Sequence, residues 1–271
     1  MGYFLGVDIG SASTKGVVLD ENNQIVAQKT IRTKPKHREG IEILCNSLRL
    51  ALSQEKIQGD ILYCIGTGYG RNNISLANKV VTEISCHARG VHYYFPQVKT
   101  IIDIGGQDSK VICINEKGNV DDFVMNEKCA AGTGRFLELV SKILQIPLED
   151  LGKVSMQASY TCKISSTCVV FAESEIISRL AEGVEQEAIL KGVHAAVVSR
   201  VLGMAKRIGI KPPVVFTGGV GKNLGIIHEV IQQLGIRDEE LLLPENPQIT
   251  GALGAAILAK EEYTRIQGQR V

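Results

Sequence analysis

The sequence predicts an α/β protein built from two related lobes, and three observations support this prediction. A strand–turn–strand pattern near the N-terminus, Gly6–Leu19, recurs in the middle of the chain at Ile101–Ile112. Each copy is followed by a third strand candidate and then by helical periodicity. The length of 271 residues also exceeds the usual size of one domain. We therefore expect a duplicated unit with a ligand cleft between its halves, with lobes at residues 1–95 and 96–271.

The two copies share the order of their polar residues. Each has an aspartate at the end of the first strand, then a glycine turn, then a hydroxyl residue next to a lysine. Asp8 and Gly10–Lys15 form the first copy, and Asp103 and Gly105–Lys110 form the second. Aspartate and glycine are favoured in any hairpin turn, so one such turn alone would carry little weight. Because the order and the lysine placement match as well, we interpret the copies as a duplication.

The remaining elements follow from hydrophobic periodicity and from breaks at glycine and proline. Further strands are predicted at Tyr3–Ile9, Ile25–Arg32, Asn119–Met125, Pro213–Thr217 and Glu240–Leu243. Helices are predicted at Gly40–Gln54, Gly134–Leu144, Val184–Ile208, Asn223–Leu234 and Gly251–Lys260. We expect Ile146–Thr167 to be a less regular insertion between helices. We expect Thr264–Val271 to be frayed.

Composition argues against several classes of function. Hydrophobic residues make up 44% and charged residues 22%, as in globular proteins with a core. The formal net charge of +1 gives no reason to expect nucleic acid as a partner. The seven cysteines are odd in number and scattered, and no secretory signal precedes the first strand. No apolar run reaches the length of a membrane span. We predict a cytoplasmic protein without disulfides, with no membrane or nucleic-acid partner.

The glycine turns are suited to the phosphates of a nucleotide, because bare backbone approaches phosphates closely and donates N–H groups. The first turn consists of Gly10, Ser11, Ala12, Ser13, Thr14 and Lys15, and the second contains Gly105, Gly106 and Gln107. Asp8 and Asp103 would face Mg²⁺, directly or through water. Gly218 and Gly219 end a strand where adenosine would lie against backbone. The chain has no Walker loop.

This order of motifs resembles the actin, sugar kinase and Hsp70 superfamily, which implies two ribonuclease H-like lobes in an actin-like ATPase fold. On that resemblance the first phosphate motif includes Asp8 and Lys15, the second Asp103 and Gln107, and the adenosine motif Gly218 and Gly219. Related exopolyphosphatases place an acid that orients water at the first connecting segment, where this chain has Glu83. Glu83 is our candidate general base, and a solvated glutamate at a strand–helix junction is the alternative. The candidate catalytic residues are Asp8, Glu83, Asp103 and Gln107.

Gly66–Arg71 is glycine-rich and follows a strand, but its glycine spacing does not fit a dinucleotide site. We interpret it as a turn. The histidines His87, His92 and His194 lie in helical patterns and are interpreted as structural or surface residues.

Two of the cysteines, Cys129 and Cys168, stand directly before helical periodicity. A helix N-terminus lowers the pKa of a thiol and favours an anionic cluster, and thiolates are the normal ligands of iron–sulfur clusters. A [4Fe–4S] cluster needs four thiolates, so a second subunit would have to supply the other pair. From spacing alone, buried unreactive cysteines and Cys162 as a ligand remain alternatives. The others, which lie in apolar patterns and are interpreted as core residues, are Cys45, Cys64, Cys86 and Cys113.

Four segments closely resemble the activator ATPases of 2-hydroxyacyl-CoA dehydratases, a family that includes the ATPase subunits of benzoyl-CoA reductase. These segments are Thr67–Asn72, Ile101–Gln107, Asn126–Phe136 and Ile164–Glu175. The resemblance runs from Gly6 to Ala259. It implies a homodimer in which Cys129 and Cys168 of each protomer hold one shared [4Fe–4S] cluster, with ATP/ADP and Mg²⁺ as further cofactors.

The same resemblance implies that ATP hydrolysis delivers a low-potential electron from the cluster to a 2-hydroxyacyl-CoA dehydratase or a related CoA-thioester reductase. Ferredoxin or flavodoxin would be the electron donor. The chain departs from the family at Arg32–Gly40, which is basic where typical activators have a Gly/Thr-rich stretch, and this leaves the partner open. The alternatives are a small-molecule kinase of the sugar kinase type and an ATP-binding regulatory protein.

Overall fold

The structure, a computed structural model, describes residues 2–165 and 168–269. These residues divide into two compact units. The first contains residues 2–97, 114–121 and 248–269, and the second contains residues 98–113, 122–165 and 168–247. The lobe limits of 1–95 and 96–271 stay a prediction.

Runs of strands and runs of helices follow one another along the described residues. The strands are β1 (Gly2–Ile9), β2 (Ser13–Leu19), β3 (Ile25–Arg32), β4 (Asp60–Thr67), β5 (Lys79–Val80), β6 (Thr100–Ile104), β7 (Ser109–Ile114), β8 (Val120–Asn126), β9 (Val214–Thr217) and β10 (Leu241–Leu242). The helices are α1 (His37–Gln54), α2 (Glu83–Tyr94), α3 (Gly134–Leu144), α4 (Leu151–Ser155), α5 (Val169–Ala181), α6 (Gln186–Ala205), α7 (Leu224–Leu234) and α8 (Thr250–Gly268). Short 3₁₀ turns lie at Arg71–Asn73, Ala130–Gly132, Gly219–Lys222 and Asp238–Glu240.

Two five-stranded mixed sheets share one strand order. The first sheet has the order β3-β2-β1-β4-β5, and the second has the order β8-β7-β6-β9-β10. The central strand of each sheet, β1 or β6, pairs antiparallel with the strand that follows it in sequence. On its other side it pairs parallel with a later strand, β4 or β9. The repeated topology confirms the prediction of a duplicated α/β fold.

Helices cover both faces of the first sheet. Val7 and its neighbours on alternate positions of β1 pack with Leu44 of α1. Val17 of β2 packs with Leu253 of α8 on the opposite face, as the two-residue period of a strand requires. At Gly6 a methyl group would overlap the backbone of α8. The bare α-carbon therefore lets α8 lie directly against β1.

Helix α6 forms the centre of the second unit. Its length and composition would also allow a membrane span. However, Val193, Val197 and Val201 are buried in the core of the unit, where they pack with Phe216 of β9. Core helices of this kind meet the same criteria of length and apolar composition.

Two of the predicted irregular regions are more regular than expected. The insertion Ile146–Thr167 contains α4, and its last two residues lie outside the described part of the chain. The prediction of a frayed C-terminus is wrong as far as Gly268, because α8 continues to that residue. Glu262 pairs with Arg265 one turn later at 2.8 Å, and the ring of Tyr263 packs on Phe4. These contacts stabilise the last turns of the helix.

His194 links three helices of the second unit. It lies in α6, and its Nδ1 shares a hydrogen bond of 3.0 Å with Oγ of Ser155 at the end of α4. Its Nε2 lies 3.4 Å from the side-chain nitrogen of Asn223, which caps α7. His194 is fully buried, and burial lowers the pKa of its imidazole from 6.5 to about 4. The interpretation of His194 as a structural residue agrees with this position.

Acidification is expected to destabilise the protein through His194. The unfolded chain protonates this imidazole near pH 6.5 and the folded chain only near pH 4, so the unfolded state binds more protons between these values. Stability is therefore lost as the pH falls from about 6.5 to about 4, by up to about 3 kcal/mol from this group. Urea unfolding of the wild type and of His194→Gln across that range measures the effect. Equal losses in the two proteins would contradict the prediction.

Candidate functional site

Asp8, the last residue but one of β1, forms a buried ion pair with Lys15. The two residues are directly opposite in the antiparallel ladder of β1 and β2, and Nζ of Lys15 lies 3.0 Å from Oδ2 of Asp8. The aspartate side chain is 6% exposed and the lysine side chain 13%. The turn between them is closed by a hydrogen bond of 3.0 Å from the Gly10 amide to the Ser13 carbonyl. The hairpin thus places a carboxylate, a cation and a glycine-containing turn together at one end of strands β1 and β2.

The second unit repeats this arrangement at Asp103. Lys110 lies opposite Asp103 in the ladder of β6 and β7, and its Nζ is 3.3 Å from Oδ2 of Asp103. Lys110 also pairs with Asp108. The other carboxylate oxygen of Asp103 accepts a hydrogen bond of 2.7 Å from Oγ1 of Thr217, at the end of β9. Both side chains of the Asp103–Lys110 pair are only 3% exposed.

Sequence reasoning did not select Lys110, Asp108 or Thr217 as site residues. The signal for Lys110 was present, because it stands seven residues after Asp103 just as Lys15 stands seven residues after Asp8. Thr217 is distant from Asp103 in sequence and meets it only through the parallel pairing of β6 with β9. No spacing along the chain indicates that contact.

The first glycine turn, Gly10–Lys15, is held in place by hydrogen bonds from Thr33. Its amide donates to the carbonyl of Ala12 at 3.0 Å, and its Oγ1 donates to the carbonyl of Gly10 at 2.8 Å. Its hydroxyl also lies 3.0 Å from that of Thr14. Because Thr33 belongs to the basic segment Arg32–Gly40, that segment starts directly at the turn that would bind phosphate.

In the segment Gly66–Arg71, which was predicted to be a turn, Gly66 and Thr67 end β4 and the turn follows from Gly68, beside Asp8. Gly68 has φ of +86°, and a methyl group there would overlap Oδ1 of Asp8. The amide of Gly70 donates to the carbonyl of Ile9 at 2.9 Å. Only glycine combines this backbone conformation with so close an approach. The turn therefore encloses one side of the Asp8 carboxylate. The sequence of the turn did not indicate this contact.

The second glycine turn, Gly105–Gln107, is joined to the start of α3. The amide of Gly105 donates to the carbonyl of Asp108 at 2.9 Å, which closes the turn around the exposed Gln107. The carbonyls of Gly105 and Gly106 accept hydrogen bonds of 2.9 and 2.8 Å from the first two amides of α3. Those amides have no partner within the helix itself. The turn and the helix are thus fixed to each other through backbone.

Gly218 follows β9 and lies against the end of β6. Its φ is +89°, and a methyl group would overlap the carbonyl oxygen of Ile104. Its amide donates to the carbonyl of Pro247 at 3.0 Å, and Gly219 begins a 3₁₀ turn. The second unit therefore brings together Asp103, the Gly105–Gln107 turn and Gly218 at the carboxyl ends of neighbouring parallel strands, where ligands bind in α/β folds.

Glu83 is the first residue of α2 and is half-buried. Thr82 caps this helix by accepting a hydrogen bond of 3.3 Å from the Ser85 amide. His87 stands one turn after Glu83 on the same face of α2. The role of Glu83 as a general base stays a prediction.

Cys129 lies in a loop that one side chain fixes from both sides. The amide of Cys129 donates to Oδ1 of Asn126 at 3.0 Å, and Nδ2 of Asn126 donates to the carbonyl of Cys129 at 2.7 Å. The 3₁₀ turn Ala130–Gly132 follows, and α3 begins at Gly134.

Cys168 is exposed and directly precedes α5, as predicted from the sequence. Upstream, the amide and hydroxyl of Ser165 donate to the carboxylate of Glu175 on α5.

The remaining cysteines are less accessible than Cys168. Cys64 and Cys86 are buried, and burial raises the pKa of both thiols to about 12, so neither forms a thiolate at neutral pH. Burial also raises the pKa of the half-buried Cys45. Cys113 is half-buried, with Sγ 3.7 Å from the carbonyl of Gly209. Cys162 donates its amide to the carbonyl of Ala188 on α6 at 3.0 Å.

The donor sets fit different metals. Asp8 and Asp103 offer hard carboxylate oxygens, which suit Mg²⁺. Cys129 and Cys168 offer sulfur, which suits an iron–sulfur cluster. Within the described ranges, 2–165 and 168–269, no group of three or more His, Cys, Asp or Glu residues is placed to hold a metal ion. Cys129 and Cys168 alone provide two thiols. They would fit a four-thiolate cluster only if a second chain contributed the same pair.

Related proteins are similar over almost the full length of the chain. An activator of lactoyl-CoA dehydratase from Anaerotignum propionicum is 46% identical over 96% of this chain and 98% of its own length. The activator of the 2-hydroxyisocaproyl-CoA dehydratase from Clostridium difficile, solved with bound ADPNP, superposes with a TM-score of 0.89 at 43% identity, covering 98% of this chain and 97% of that one.

Component A of the (R)-2-hydroxyglutaryl-CoA dehydratase of Acidaminococcus fermentans superposes with a TM-score of 0.91 at 39% identity, covering 97% of this chain and all of that one. A glucokinase of the ROK family from Streptomyces griseus, at 14% identity and a TM-score of 0.58 over 96% of this chain and all of that one, shares the fold alone. The fold is therefore that of the actin-like ATPases and sugar kinases, as predicted. Residues 5–259 match the BadF/BadG/BcrA/BcrD ATPase family, and the chain belongs to that family of ATPases.

Proposed function

We propose that this ATPase activates a 2-hydroxyacyl-CoA dehydratase, or a related CoA-thioester reductase, by delivering a low-potential electron to it. Relatives that are 42–46% identical over nearly the whole chain are named as activators of such dehydratases. A subunit of benzoyl-CoA reductase from Thauera aromatica is 28% identical over 98% of this chain. These relatives support the class of partner. The electron would reach the activator from ferredoxin or flavodoxin in the cytoplasm.

The observation that carries the proposal is the backbone link between a phosphate turn and a cysteine. The first two amides of α3 bind the carbonyls of Gly105 and Gly106, and only the 3₁₀ turn and its cap separate α3 from Cys129. A change in the turn on binding or losing a phosphate is therefore transmitted to the cysteine over a few residues. Such a short rigid connection is what a nucleotide-driven switch at a redox centre requires.

The two cysteines would hold one [4Fe–4S] cluster between two copies of the chain. When bound, the cluster supplies a one-electron carrier. Cys168 is exposed at the head of α5, and Val170, Phe171 and Ile177 of the same helix are 67%, 69% and 51% exposed. An exposed apolar helix face next to the thiol favours cover by a second protomer. The homodimer is proposed on this basis.

Each candidate residue of the nucleotide site is proposed to have its own task. The turns Gly10–Lys15 and Gly105–Gln107 would bind phosphates through backbone amides, and Gly218 with Gly219 would leave room for adenosine. The carboxylates of Asp8 and Asp103 would bind hydrated Mg²⁺. Glu83 would orient the attacking water as general base, and Gln107 would bind beside the terminal phosphate.

The kinase and regulator interpretations are not favoured. The likeness to a sugar kinase is one of fold alone, and neither interpretation gives Cys129 and Cys168 a role. The activator proposal accounts for both the nucleotide turns and the two cysteines.

Iron analysis of protein purified without oxygen tests the proposal. We expect about four irons and four sulfides per two chains in the wild type, and none in Cys129→Ala or Cys168→Ala. Cys162→Ala is the matched control, because its backbone is held on α6 and its loss should leave the iron content unchanged. A wild-type protein that hydrolyses ATP but binds no iron would refute electron transfer. Loss of iron in Cys162→Ala would instead make Cys162 a ligand.

A further inference from the structure

The two units repeat a threonine–glycine pair as well as the aspartate–lysine pair. Thr67 ends β4 and lies opposite Asp8 in the parallel ladder of the first sheet. Thr217 ends β9 and lies opposite Asp103 in the second. The glycine after each threonine has a positive φ, +86° in the first unit and +89° in the second, and a methyl group on it would overlap the carbonyl oxygen of the residue after the aspartate. The two threonines therefore occupy equivalent positions.

The hydroxyls of these threonines differ in their contacts, although both residues are fully buried. Oγ1 of Thr217 donates to Oδ1 of Asp103 at 2.7 Å. Oγ1 of Thr67 has no hydrogen-bond partner of normal geometry within residues 2–165 and 168–269. A buried hydroxyl without such a partner is unfavourable, and a valine of similar shape would avoid that cost. Packing alone therefore does not account for a threonine at this position.

The thiol of Cys86 in α2 is a neighbour of the Thr67 hydroxyl. Burial raises the pKa of Cys86 to about 12, while the Thr67 hydroxyl lowers it and the charge of Asp8 raises it by smaller amounts. The thiol is therefore neutral at pH 7, and a neutral thiol is a weak hydrogen-bond partner. The carboxylate of Asp8, which lies in the same buried cluster, is a much stronger acceptor.

Lys15 balances the charge of Asp8 in this structure, with Nζ 3.0 Å from Oδ2. The same ammonium group lies beside the first glycine turn, because a methyl group on Gly10 would be 3.1 Å from Nζ. In the proposed function this turn binds the phosphates of the nucleotide, and their negative charge attracts the lysine. A lysine that turns toward the phosphates leaves Asp8 without its present partner.

We propose that Thr67 is a positioning residue for Asp8 in the nucleotide-bound protein. When Lys15 is engaged by the phosphates, the hydroxyl of Thr67 donates to the carboxylate of Asp8. This contact is the counterpart of the hydrogen bond between Thr217 and Asp103 in the second unit. The inference rests on the proposed function, in which Asp8 binds hydrated Mg²⁺, and it adds a hydroxyl that orients this carboxylate.

Thr67→Val tests the proposal, because it removes the hydroxyl and nearly keeps the shape of the side chain. Without nucleotide the hydroxyl has no strong partner to lose, so we expect the free energy of unfolding to stay equal or to rise. The dissociation constant for Mg²⁺–ADPNP should rise about tenfold, the effect of losing a hydrogen bond to a charged group. Urea unfolding and titration calorimetry of protein purified without oxygen measure the two quantities.

Thr67→Ser and Thr217→Val are the matched comparisons. Thr67→Ser keeps the hydroxyl but removes a buried methyl group, so it should lose stability and retain the affinity for Mg²⁺–ADPNP. Thr217→Val removes a hydroxyl that already binds Asp103, so this variant should lose stability without nucleotide. Opposite effects of valine and serine in place of Thr67 distinguish a positioning role from a packing role.

The outcomes separate this inference from the proposed function. Wild-type affinity of Thr67→Val for Mg²⁺–ADPNP overturns the inference and leaves the proposed function intact. Joint loss of stability and affinity in Thr67→Val, without recovery of affinity in Thr67→Ser, also overturns it and makes the hydroxyl a structural partner of Cys86. A wild-type protein whose ADPNP affinity does not depend on Mg²⁺ overturns the assignment of Asp8 to the metal ion, and the inference with it. Loss of affinity at undiminished stability in Thr67→Val, with recovery in Thr67→Ser, supports it.

Discussion

Replacing Lys110 by alanine is expected to lower the free energy of unfolding by about 3–5 kcal/mol, because it leaves a buried charge without its partner. Lys110 and Asp103 are both only 3% exposed, and Lys110 also pairs with Asp108. Without the lysine, the two carboxylates lose the cation between them in a site with little access to water. Removing one partner of such a pair is far more costly than replacing both by apolar residues.

Urea unfolding of the wild type and of Lys110→Ala measures this difference. Lys153→Ala is the matched control, because Lys153 pairs with Asp150 at 3.6 Å but is 69% exposed. The control should lose less than about 1 kcal/mol, as exposed ion pairs do. A loss below about 1 kcal/mol in Lys110→Ala would show that the Asp103 site is hydrated and that its lysine is not a buried counter-ion.

Replacing Gly254 by alanine is expected to destabilise the first unit by at least about 3 kcal/mol. A methyl group on Gly254 would overlap the carbonyl oxygen of Cys86 in α2, and one on Gly90 would overlap the carbonyl oxygen of Thr250 in α8. The two helices therefore cross with their backbones in contact. The overlap is with backbone, which cannot rotate away, so the helices must separate.

Thermal and urea unfolding of Gly254→Ala and Gly268→Ala check the prediction. Both substitutions place alanine in α8, where it is preferred over glycine by about 1 kcal/mol at an interior position. At Gly268 nothing among residues 2–165 and 168–269 is found within 4 Å of the new methyl group, so the control should be neutral or slightly more stable. Equal stability of the two variants would mean that α2 and α8 separate at little cost.

The features that the sequence predicted best are those formed by residues close together in the chain. The two hairpins, with Asp8 opposite Lys15, follow from strand alternation and a glycine turn, and these are local properties. The placement of Cys168 before a helix is also local. The second hairpin, at Asp103, was also recognised, because it repeats the residue spacing of the first.

The features that the sequence did not reveal join residues far apart in the chain. Thr217 meets Asp103, and Gly251 meets both Asp8 and His87, only after strands and helices have packed. His87 has a helical pattern around it, so it was interpreted as a structural or surface residue. Its closeness to Gly251 depends on the crossing of α2 with α8, which no spacing along the chain indicates.

The C-terminal helix was predicted too short for a different reason. Thr264–Val271 was expected to be frayed because it lies at the end of the chain. In the structure α8 continues as far as Gly268. Its polar residues form the outer face, and on the inner face the ring of Tyr263 packs on Phe4. Ion pairs such as Glu262 with Arg265 add to helix stability only when the helix already exists, so composition alone does not reveal them.

Because each unit pairs its buried aspartate with a lysine, Asp8 with Lys15 and Asp103 with Lys110, neither carboxylate depends on a metal ion to balance its charge. A buried carboxylate without a counter-ion would cost several kcal/mol and would make folding depend on the ligand. This protein carries the counter-ion in its own hairpin. Folding of either unit is therefore not expected to require a bound metal ion at its aspartate.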